Sequence, residues 1–413
     1  MMGDVVIVGA GQAGLQAAIS LREEGFSGRI RLIGDEAALP YQRPPLSKAF
    51  LTGDAGEANL VLRPQALLDK AEIEFVAGAR VDGIDRGDAR IAVGKDRIAY
   101  DHLILATGSR NRHLEVTSAD ADGVMSLRGL ADARQLKARL GEARRIAIIG
   151  AGFIGLEFAG VAAKLGREVR VVELAPRAMA RAVSEQVSAH CEARHASWGT
   201  RFAFGAGVVD VEQAGGKARG VRLADGEVIP ADLIVVGIGA MANAELAADA
   251  GLVTGNGIVV DALLRTEDHA ISAIGDCAFH PNAFAGGPVR LESVQNAIDQ
   301  GRSVAARLAG RPKPYHAVPW FWSDQGDMKI QMAGLTAARD HVVQRGDPSE
   351  GRFSVFCFRD GLLLGVESVN RPADHMLARR VLAIGRKWTL ADVEAFDFDL
   401  KAMTAEPARA ADA

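Results

Sequence analysis

Two glycine-rich segments contain the residue pattern with the clearest chemical meaning. The first, VGAGQAG, places Gly9, Gly11 and Gly14 in the spacing G-x-G-x-x-G, after an apolar run and before a helical pattern. The first glycine permits a tight turn, the second lets the backbone approach a pyrophosphate, and the third lets helix and strand pack closely. Because the free amides at a helix start attract phosphate, this segment predicts a dinucleotide site.

The same arrangement recurs in IGAGFIG, where Gly150, Gly152 and Gly155 repeat the spacing around Ile154. One such pattern is weak evidence, because glycine-rich turns are common. Two complete strand–loop–helix–strand units in one chain are much stronger evidence. Two loops therefore predict two dinucleotides.

Two later strands assign the loops to their ligands. DHLILATGS ends in Ala106, Thr107 and Gly108, and HAISAIGD ends in Asp276. In two-dinucleotide flavoenzymes, which the chain resembles here, such strands return the chain to the flavin domain, and the acid contacts the ribityl chain of FAD. The first loop is thus assigned to FAD and the second to a nicotinamide dinucleotide. Taken alone, Asp276 is equally consistent with a turn or cap residue.

An acid ends the strand after each loop: Asp35 or Glu36 in the first unit, and Glu173 in the second. An acid here accepts hydrogen bonds from the adenosine ribose and repels a 2′-phosphate. Arg177 and Arg181 follow Glu173, and an arginine could instead accommodate the phosphate. Because the acid lies at the strand tip, we expect NADH rather than NADPH, with Arg181 included among the residues of the nucleotide site.

The order of these segments predicts an α/β fold with two Rossmann-like dinucleotide-binding domains, glutathione-reductase-like, and a small α+β C-terminal domain. The FAD-binding domain is discontinuous, at 1–112 and 250–318, with the NADH-binding domain, 113–249, inserted between its parts. The third domain covers 319–413, where two alternating apolar runs joined by Asp-Gly predict a hairpin.

The bulk composition excludes several classes of protein. The chain has 413 residues, 48% of them hydrophobic and 24% charged, which is a globular composition with more than one core. A net charge of −4 gives no indication of nucleic-acid binding, no apolar run is long enough for a membrane span, and the opening segment lacks a basic signal-peptide region. Three scattered cysteines fit a reducing compartment, so we expect a cytoplasmic protein.

The proline-rich segment 40–48, PYQRPPLSK, can form neither a regular helix nor a central strand. Disulfide reductases of this fold need redox cysteines in this region, but it contains Arg43 and Lys48 instead. The first cysteine is Cys191, and Cys277 is interpreted as a small buried hydrophobe. The sequence therefore excludes a dithiol relay and predicts direct electron transfer to an outside acceptor.

That acceptor is predicted to be a separate protein. A flavin can divide the electron pair of a hydride into two single-electron transfers, which suits an iron–sulfur or haem partner. Three scattered cysteines cannot supply the four ligands of a cluster, so the cluster must lie on another chain.

Segments along nearly the whole chain resemble the oxygenase-coupled NADH-dependent ferredoxin reductases of the FAD-dependent pyridine nucleotide-disulfide oxidoreductase superfamily. The segments are VVIVGAGQAG, LPYQRPPLSKAFL, ILATGSRNR, IGAGFIGLEFA, VVELAPRAMAR, ISAIGDCA, RLESVQNA, PWFWSDQGD and ESVNRPADH. The second and eighth are the specific ones, since many flavoenzymes share the glycine loops. The resemblance implies FAD, NADH and a [2Fe–2S] ferredoxin that serves a cytochrome P450 or a Rieske-type oxygenase. We expect a monomer or weak homodimer.

The resemblance also assigns residues to FAD. Those that would contact it are Ala13, Asp35 or Glu36, Lys48, Val81, Arg128, Asp276 and Val294. Arg43 and Lys48 would place positive charge beside the flavin and stabilise its anionic reduced form. The alternative for these two cations is ordinary surface charge.

For the nicotinamide, the resemblance implies that Glu157 holds the carboxamide; the alternative is a first-turn acid that interacts with the helix dipole. Gly237, Gly239 and Glu292 would close the nicotinamide pocket. Trp322 would lie by the isoalloxazine edge, and its alternative is core packing. The predicted catalytic residues are Lys48, Glu157 and Trp322.

Two further clusters have weaker interpretations. The spacing in HCEARH, with His190 and His195 around a cysteine, is not a zinc pattern, so no metal site is predicted. A basic run near residue 305 fits either a ferredoxin-docking face or a solvated helix face. Its members are Arg302, Arg307, Arg311 and Lys313.

Three functions compete at this level. The leading hypothesis is an NADH:ferredoxin oxidoreductase. The second is an NADH oxidase or small-radical reductase of the same fold. The third is a flavoprotein whose redox state signals to a partner, which the absence of a targeting peptide and of a long linker disfavours.

Overall fold

The computed structural model describes residues 3–385, 387–395 and 398–405. The chain forms two compact units. The first unit comprises the residues up to Gln42, Glu57–Arg110 and Ala240–Pro319. The second comprises Arg43–Gly56, Asn111–Gly239 and the residues from Trp320 onward. This division is coarser than the three predicted domains, whose boundaries stay a prediction.

The first unit is built on a five-stranded parallel sheet with the glycine-loop strand at its centre. In sheet order its strands are Ile271–Ala273, His102–Leu105, Asp4–Val8, Arg29–Ile33 and Ile73–Val76. Val5, Val6 and Ile7 are fully buried, as expected for a parallel strand covered on both faces.

The smaller strands are Gly83–Asp85, Arg90–Val93, Asp96–Ala99, Ala240–Ala242, Thr254–Gly255, Gly257–Val259, Ala278–Asn282 and Gly287–Val289. The helices are Gln12–Glu23, Glu57–Leu60, Gln65–Lys70, Glu245–Asp249 and Val294–Leu308. The short strand Ser109–Asn111 ends one residue into the second unit.

The second unit contains another five-stranded parallel sheet, which confirms the predicted repeat. In sheet order its strands are Arg201–Phe204, Glu168–Glu173, Arg145–Ile149, Leu233–Val236 and Val124–Ser126. A separate antiparallel sheet contains Val208–Ala214, Lys217–Leu223 and Val228–Pro230. The helices of this part are Ala49–Thr52, Leu130–Glu142, Phe153–Lys164 and Glu185–Ser197.

The rest of the second unit is an antiparallel sheet with short helices, as predicted for an α+β segment. In sheet order its strands are Trp320–Gln325, Met328–Gly334, Leu362–Val369, Arg352–Arg359 and His341–Asp347. The helices are Pro372–Ala383, Leu390–Glu394 and Leu400–Ala405. The predicted hairpin is confirmed: Arg359 pairs with Leu362, and Asp360 and Gly361 both have positive φ, 50° and 73°, as a type I′ turn requires.

The proline-rich segment forms a single turn of 3-10 helix, Pro44–Ser47, before the helix Ala49–Thr52. This agrees with the prediction of neither a regular helix nor a central strand. In the described ranges, no helix has both the length and the apolar character needed to cross a bilayer.

Two helices of the first unit approach each other closely at a glycine. Helix Val294–Leu308 packs on helix Gln12–Glu23, and a Cβ atom at Gly301 would lie 3.0 Å from the carbonyl oxygen of Ala13 and 3.0 Å from the amide nitrogen of Ala17. Backbone atoms cannot move away as a flexible side chain can. Glycine at this position therefore sets the spacing between the helices.

Replacing Gly301 by alanine is expected to lower the free energy of unfolding by about 1–3 kcal/mol, because the added methyl group overpacks the helix contact. Gly141 is a matched control, since it also lies in a helix but a Cβ there would meet nothing within 4 Å. Gly141→Ala should raise stability by about 0.5–1 kcal/mol through helix propensity alone. Urea unfolding measures both, and equal shifts would contradict the close packing at Gly301.

Candidate functional site

The first glycine loop leaves room for a ligand at one glycine only. Gly9 has φ +106°, and a Cβ there would collide with the carbonyl of Ala106; a Cβ at Gly14 would collide with the carbonyl oxygen of Gly9. A Cβ at Gly11 would meet nothing within 4 Å. The first turn of the following helix carries no acid. Backbone atoms therefore exclude a side chain at Gly9 and Gly14, whereas the space beside Gly11 is free and fits a bound phosphate.

The predicted strand ends meet beside this loop within the first unit. The Thr107 hydroxyl donates to the Asn243 carbonyl at 2.6 Å, and the Asn243 amide group donates to the Thr107 carbonyl at 2.9 Å. Ser109 donates to the carboxylate of Asp276 at 2.8 Å. Asp276 is half-buried in a 3-10 turn, Gly275–Cys277. Its carboxylate is therefore oriented by a serine that the sequence did not single out.

The other residues assigned to FAD in the first unit differ in exposure. Asp35 is exposed, whereas the Glu36 carboxylate accepts a hydrogen bond from the Tyr41 hydroxyl at 2.6 Å. Val81 belongs to the buried core of the unit, and Val294 is the first residue of its helix. Their proposed contacts with FAD stay predictions.

Two further assigned residues of this unit are fixed by packing or pairing. A Cβ at Gly275 would lie 2.9 Å from the Cβ of Ala13, so Ala13 packs against the turn that carries Asp276. Glu292 is exposed and pairs with Arg290 at 2.5 Å, and Arg290 also donates to the Asp276 carbonyl at 3.2 Å. Glu292 is thus held by an arginine that already binds the Asp276 turn.

The second glycine loop has the same construction. Gly150 has φ +105°, and a Cβ there would collide with the carbonyl of Gly237; a Cβ at Gly155 would collide with that of Gly150. At Gly152 the nearest atom would be 3.9 Å away, in ordinary contact. Ile154, 47% exposed, lies at the start of the helix, and Gly239 has φ +107°. The loop fits a second dinucleotide phosphate.

Glu173 stabilises the second loop directly. Its carboxylate accepts hydrogen bonds from the amide of Ala151 at 2.7 Å and from the amide of Ala175 at 2.8 Å. Arg177 donates to the carbonyls of Ala180 and Val183 at 2.9 and 3.1 Å. Nη2 of Arg177 is therefore bound by its own loop, whereas Nη1 has no partner among the described residues and the acid lies at the strand tip.

A buried ion pair joins the proline-rich segment to the second loop's helix within the second unit. Lys48 Nζ lies 2.7 Å from Glu157 Oε2, and their side chains are 21% and 7% exposed. Ser47 donates to the same oxygen at 2.5 Å, and Ser323 donates to Oε1 at 2.8 Å. Both carboxylate oxygens of Glu157 are thus hydrogen-bonded.

This geometry overturns two alternatives from the sequence. Glu157 is not a first-turn acid, because its helix begins at Phe153 and the carboxylate is bound by side chains instead. Lys48 is not ordinary surface charge, because it is mostly buried and paired. Arg43 is half-buried and donates to the carbonyl of Arg128 at 3.0 Å.

The strand Trp320–Gln325 presents partly exposed aromatic rings. The ring centroids of Trp320 and Trp322 are 5.6 Å apart, and Phe321 lies 4.7 Å from Phe153. Trp322 is half-buried, and its ring centroid lies 6.5 Å from that of Phe321. Its predicted place by the isoalloxazine edge stays a prediction.

The basic run is not a uniform solvated face. Arg307 is more than half-buried and donates to the Ser272 hydroxyl at 2.5 Å, and burial lowers its pKa to about 10. Ser272 also hydrogen-bonds His102 at 2.9 Å, where burial lowers the imidazole pKa to about 3. Arg307 thus supports the first sheet, while Arg302 and Lys313 are exposed.

All three thiols are buried and free. Burial raises the pKa of Cys191 to about 12 and also raises the pKa values of Cys277 and Cys357. Cys277 is fully buried, which confirms its interpretation as a small hydrophobe. Within the described ranges, no group of three or more His, Cys, Asp or Glu side chains is placed to hold a metal ion.

Two parallel-sheet units, each with a loop that fits a dinucleotide phosphate, define a two-dinucleotide oxidoreductase. Residues 3–301 match the family model described as pyridine nucleotide-disulphide oxidoreductase, and residues 320–404 match the one described as reductase C-terminal. The chain belongs to the pyridine nucleotide-disulphide oxidoreductase family. Membership confirms FAD and a nicotinamide dinucleotide as predicted.

Several relatives are named as ferredoxin reductases. The chain is 50% identical over 398 residues to rhodocoxin reductase of Rhodococcus erythropolis, covering 96% of this chain and 93% of that one. It superimposes with TM-score 0.95 and 48% identity on the ferredoxin reductase for the CYP199A2 system from Rhodopseudomonas palustris, covering 97% and 100% of the two chains. It also superimposes on the reductase chain of the covalent putidaredoxin reductase–putidaredoxin complex, with TM-score 0.94 and 36% sequence identity. That match covers 98% of this chain and 99% of the other. The resemblance read from the sequence is therefore confirmed.

Replacing Lys48 by methionine leaves the Glu157 carboxylate mostly buried without its cation. We expect unfolding free energy to fall by on the order of 2 kcal/mol, since breaking a buried pair is costly and this one is partly exposed. FAD retention should weaken or flavin reduction should slow. Urea unfolding, FAD content and stopped-flow reduction measure these effects.

The exposed pair of Arg139 and Asp122 provides the control, with side chains 45% and 44% exposed. Arg139→Met should cost under about 1 kcal/mol. If Lys48→Met costs no more than this control and leaves the flavin unaffected, the ion pair has no special role.

Proposed function

We propose that this protein is an NADH-dependent ferredoxin reductase. It transfers hydride from NADH to FAD and then single electrons to a [2Fe–2S] ferredoxin, which supplies a cytochrome P450 or a Rieske-type oxygenase. The observation that carries the proposal is the combination of two dinucleotide loops with buried, protonated thiols. Without an accessible thiol, the family's disulfide chemistry has no internal acceptor.

The relatives support the choice of acceptor. One of them is named as a reductase for a P450 system, and another is solved as a complex with its iron–sulfur protein partner, putidaredoxin. Bound FAD supplies the step from a two-electron donor to a one-electron acceptor. The chain's own residues bind and orient: Gly11 and Gly152 leave space for phosphates, and Glu157 accepts the nicotinamide carboxamide. Cytoplasmic location and a monomeric or weakly dimeric state belong to the same proposal.

NADH is the proposed donor because Glu173 ends the strand after the second glycine loop, a position at which an acid can accept from the adenosine ribose, and because Arg177 donates to carbonyls of its own loop. We expect kcat/KM for NADH to exceed that for NADPH by about 10- to 100-fold, since a charge-assisted hydrogen bond is worth about 1.5–3 kcal/mol. Steady-state assays with both donors measure the ratio. Arg181→Ala, at an exposed arginine, should lower the residual NADPH activity further. Equal kcat/KM values would refute the assignment.

Ferredoxin as acceptor is tested by anaerobic reduction with NADH followed by rapid mixing with candidate [2Fe–2S] ferredoxins. At least one should reoxidise the flavin faster than air-saturated buffer does, with an ionic-strength dependence if charge steers docking. Mixing with oxygen alone is the control. If oxygen is the faster acceptor against every ferredoxin, the protein is an NADH oxidase instead.

A further inference from the structure

A chain of buried polar side chains leads from Glu157 into the second unit. Ser323 donates to Glu157 Oε1 at 2.8 Å, Gln325 Nε2 lies 3.3 Å from Ser323 Oγ, and His195 Nε2 lies 3.0 Å from Gln325 Oε1. Glu157 is 6% exposed, and the other three are fully buried. Water therefore does not compete for these hydrogen bonds.

Glu157 determines which group donates and which accepts in each hydrogen bond of this series. Glu157 is paired with the ammonium group of Lys48 and acts only as an acceptor, so the Ser323 hydroxyl must donate its single proton to it. Ser323 can then only accept from Gln325, which must turn its NH₂ group toward the serine and its oxygen toward His195. Nε2 of His195 consequently carries the ring proton.

The last side chain of this series, His195, has a buried ring nitrogen without a hydrogen bond to any described residue, which lowers the stability of the fold. Nδ1 of His195 has no hydrogen-bond partner among the residues that the structure describes, and Trp198 packs edge-on against the ring at 4.9 Å. Burial lowers the pKa of His195, which keeps the ring neutral. An unpaired buried acceptor destabilises a protein, so stability alone is a poor reason for a histidine here.

We propose that Gln325 and His195 are positioning residues for Glu157. Gln325, oriented by His195, donates to Ser323 Oγ and so holds the hydroxyl in the rotamer that donates to Oε1. Lys48 and Ser47 hold Oε2, so the carboxylate plane is fixed as an acceptor. This inference rests on the proposed role of Glu157 as the acceptor for the nicotinamide carboxamide.

A carboxylate fixed in this way recognises an N–H group specifically. The carboxamide of NAD⁺ offers that donor, whereas 3-acetylpyridine adenine dinucleotide has a methyl group in its place. A site built to pair with a donor discriminates strongly against a ligand that lacks one, because its own polar group is left unpaired. Without Gln325, no other described residue donates to Ser323 Oγ, so the hydroxyl is no longer held in one rotamer and Oε1 loses its fixed donor.

The test compares the affinities of these two oxidised dinucleotides for the FAD holoenzyme by calorimetry. The wild-type protein should bind NAD⁺ about tenfold or more tighter than the acetylpyridine analogue. Gln325→Met keeps the side-chain volume but removes both polar atoms, and Ser323→Ala removes the hydroxyl. In both variants the affinity ratio should fall to about twofold or less, with FAD content unchanged.

Ser354→Ala is the matched control for substituting a buried serine in the same sheet. Ser354 is fully buried, donates to the Asp374 carboxylate at 2.8 Å and lies 3.1 Å from the Ser368 hydroxyl, away from the series of side chains described here. This variant should keep the wild-type ratio even if its melting temperature falls. A ratio that falls equally in the control would overturn the inference, because loss of packing would then explain it.

Two further outcomes separate this inference from the proposed function. If Glu157→Gln abolishes the discrimination but Gln325→Met and Ser323→Ala retain it, the positioning role is wrong and the role of Glu157 stands. If the wild-type protein binds both dinucleotides equally, the carboxamide contact fails, and the inference fails with it. Nitrogen NMR of His195 should show a proton on Nε2; a proton on Nδ1 would also overturn the inferred direction.

Discussion

The second unit is organised around a carboxylate taken out of water. A buried Glu157 is stable only if a cation and hydrogen-bond donors surround it, because an ionised group pays a large desolvation penalty. Those partners come from two segments far from its own helix: Lys48 and Ser47 from the proline-rich turn, and Ser323 from the first strand of the C-terminal sheet. The requirement to satisfy one carboxylate therefore holds together parts of the chain that no local preference would join.

A second buried acid also joins separated segments of this unit. Glu367, fully buried, accepts from the backbone amide and hydroxyl of Ser184 at 2.7 and 2.6 Å and from the Thr336 hydroxyl at 2.7 Å. Ser184 caps the helix Glu185–Ser197, so the C-terminal sheet contributes to the start of that helix. This bond helps to explain why the residues from Trp320 onward pack in one unit with Asn111–Gly239.

The sequence predicts best what local chemistry determines. Gly9 and Gly150 are recognisable because only glycine tolerates their positive φ and their approach to a carbonyl, and Asp360-Gly361 is recognisable because a two-residue hairpin needs two positive φ angles. The partners of Glu157 are 110 and 166 positions away at Ser47 and Ser323, and no periodicity encodes such a pairing. The burial of Arg307 cannot be predicted from the sequence, because a run of basic residues has the pattern of a solvated face and its partners Ser272 and His102 are distant in the chain.

The thiols explain why the chemistry of this chain departs from the name of its family. A thiol takes part in electron transfer as a thiolate that a partner can reach, and both conditions fail where burial raises its pKa. Cys277 directly follows Asp276, yet its sulfur is fully buried and lies 3.5 and 3.3 Å from the carbonyl oxygens of Leu105 and Ile274, where it packs as a small hydrophobe. In the proline-rich turn, the residues available to influence a flavin are Arg43, Ser47 and Lys48, which supply charge and hydrogen bonds but no redox couple. The turn therefore contains no internal electron acceptor, which agrees with an acceptor outside the chain.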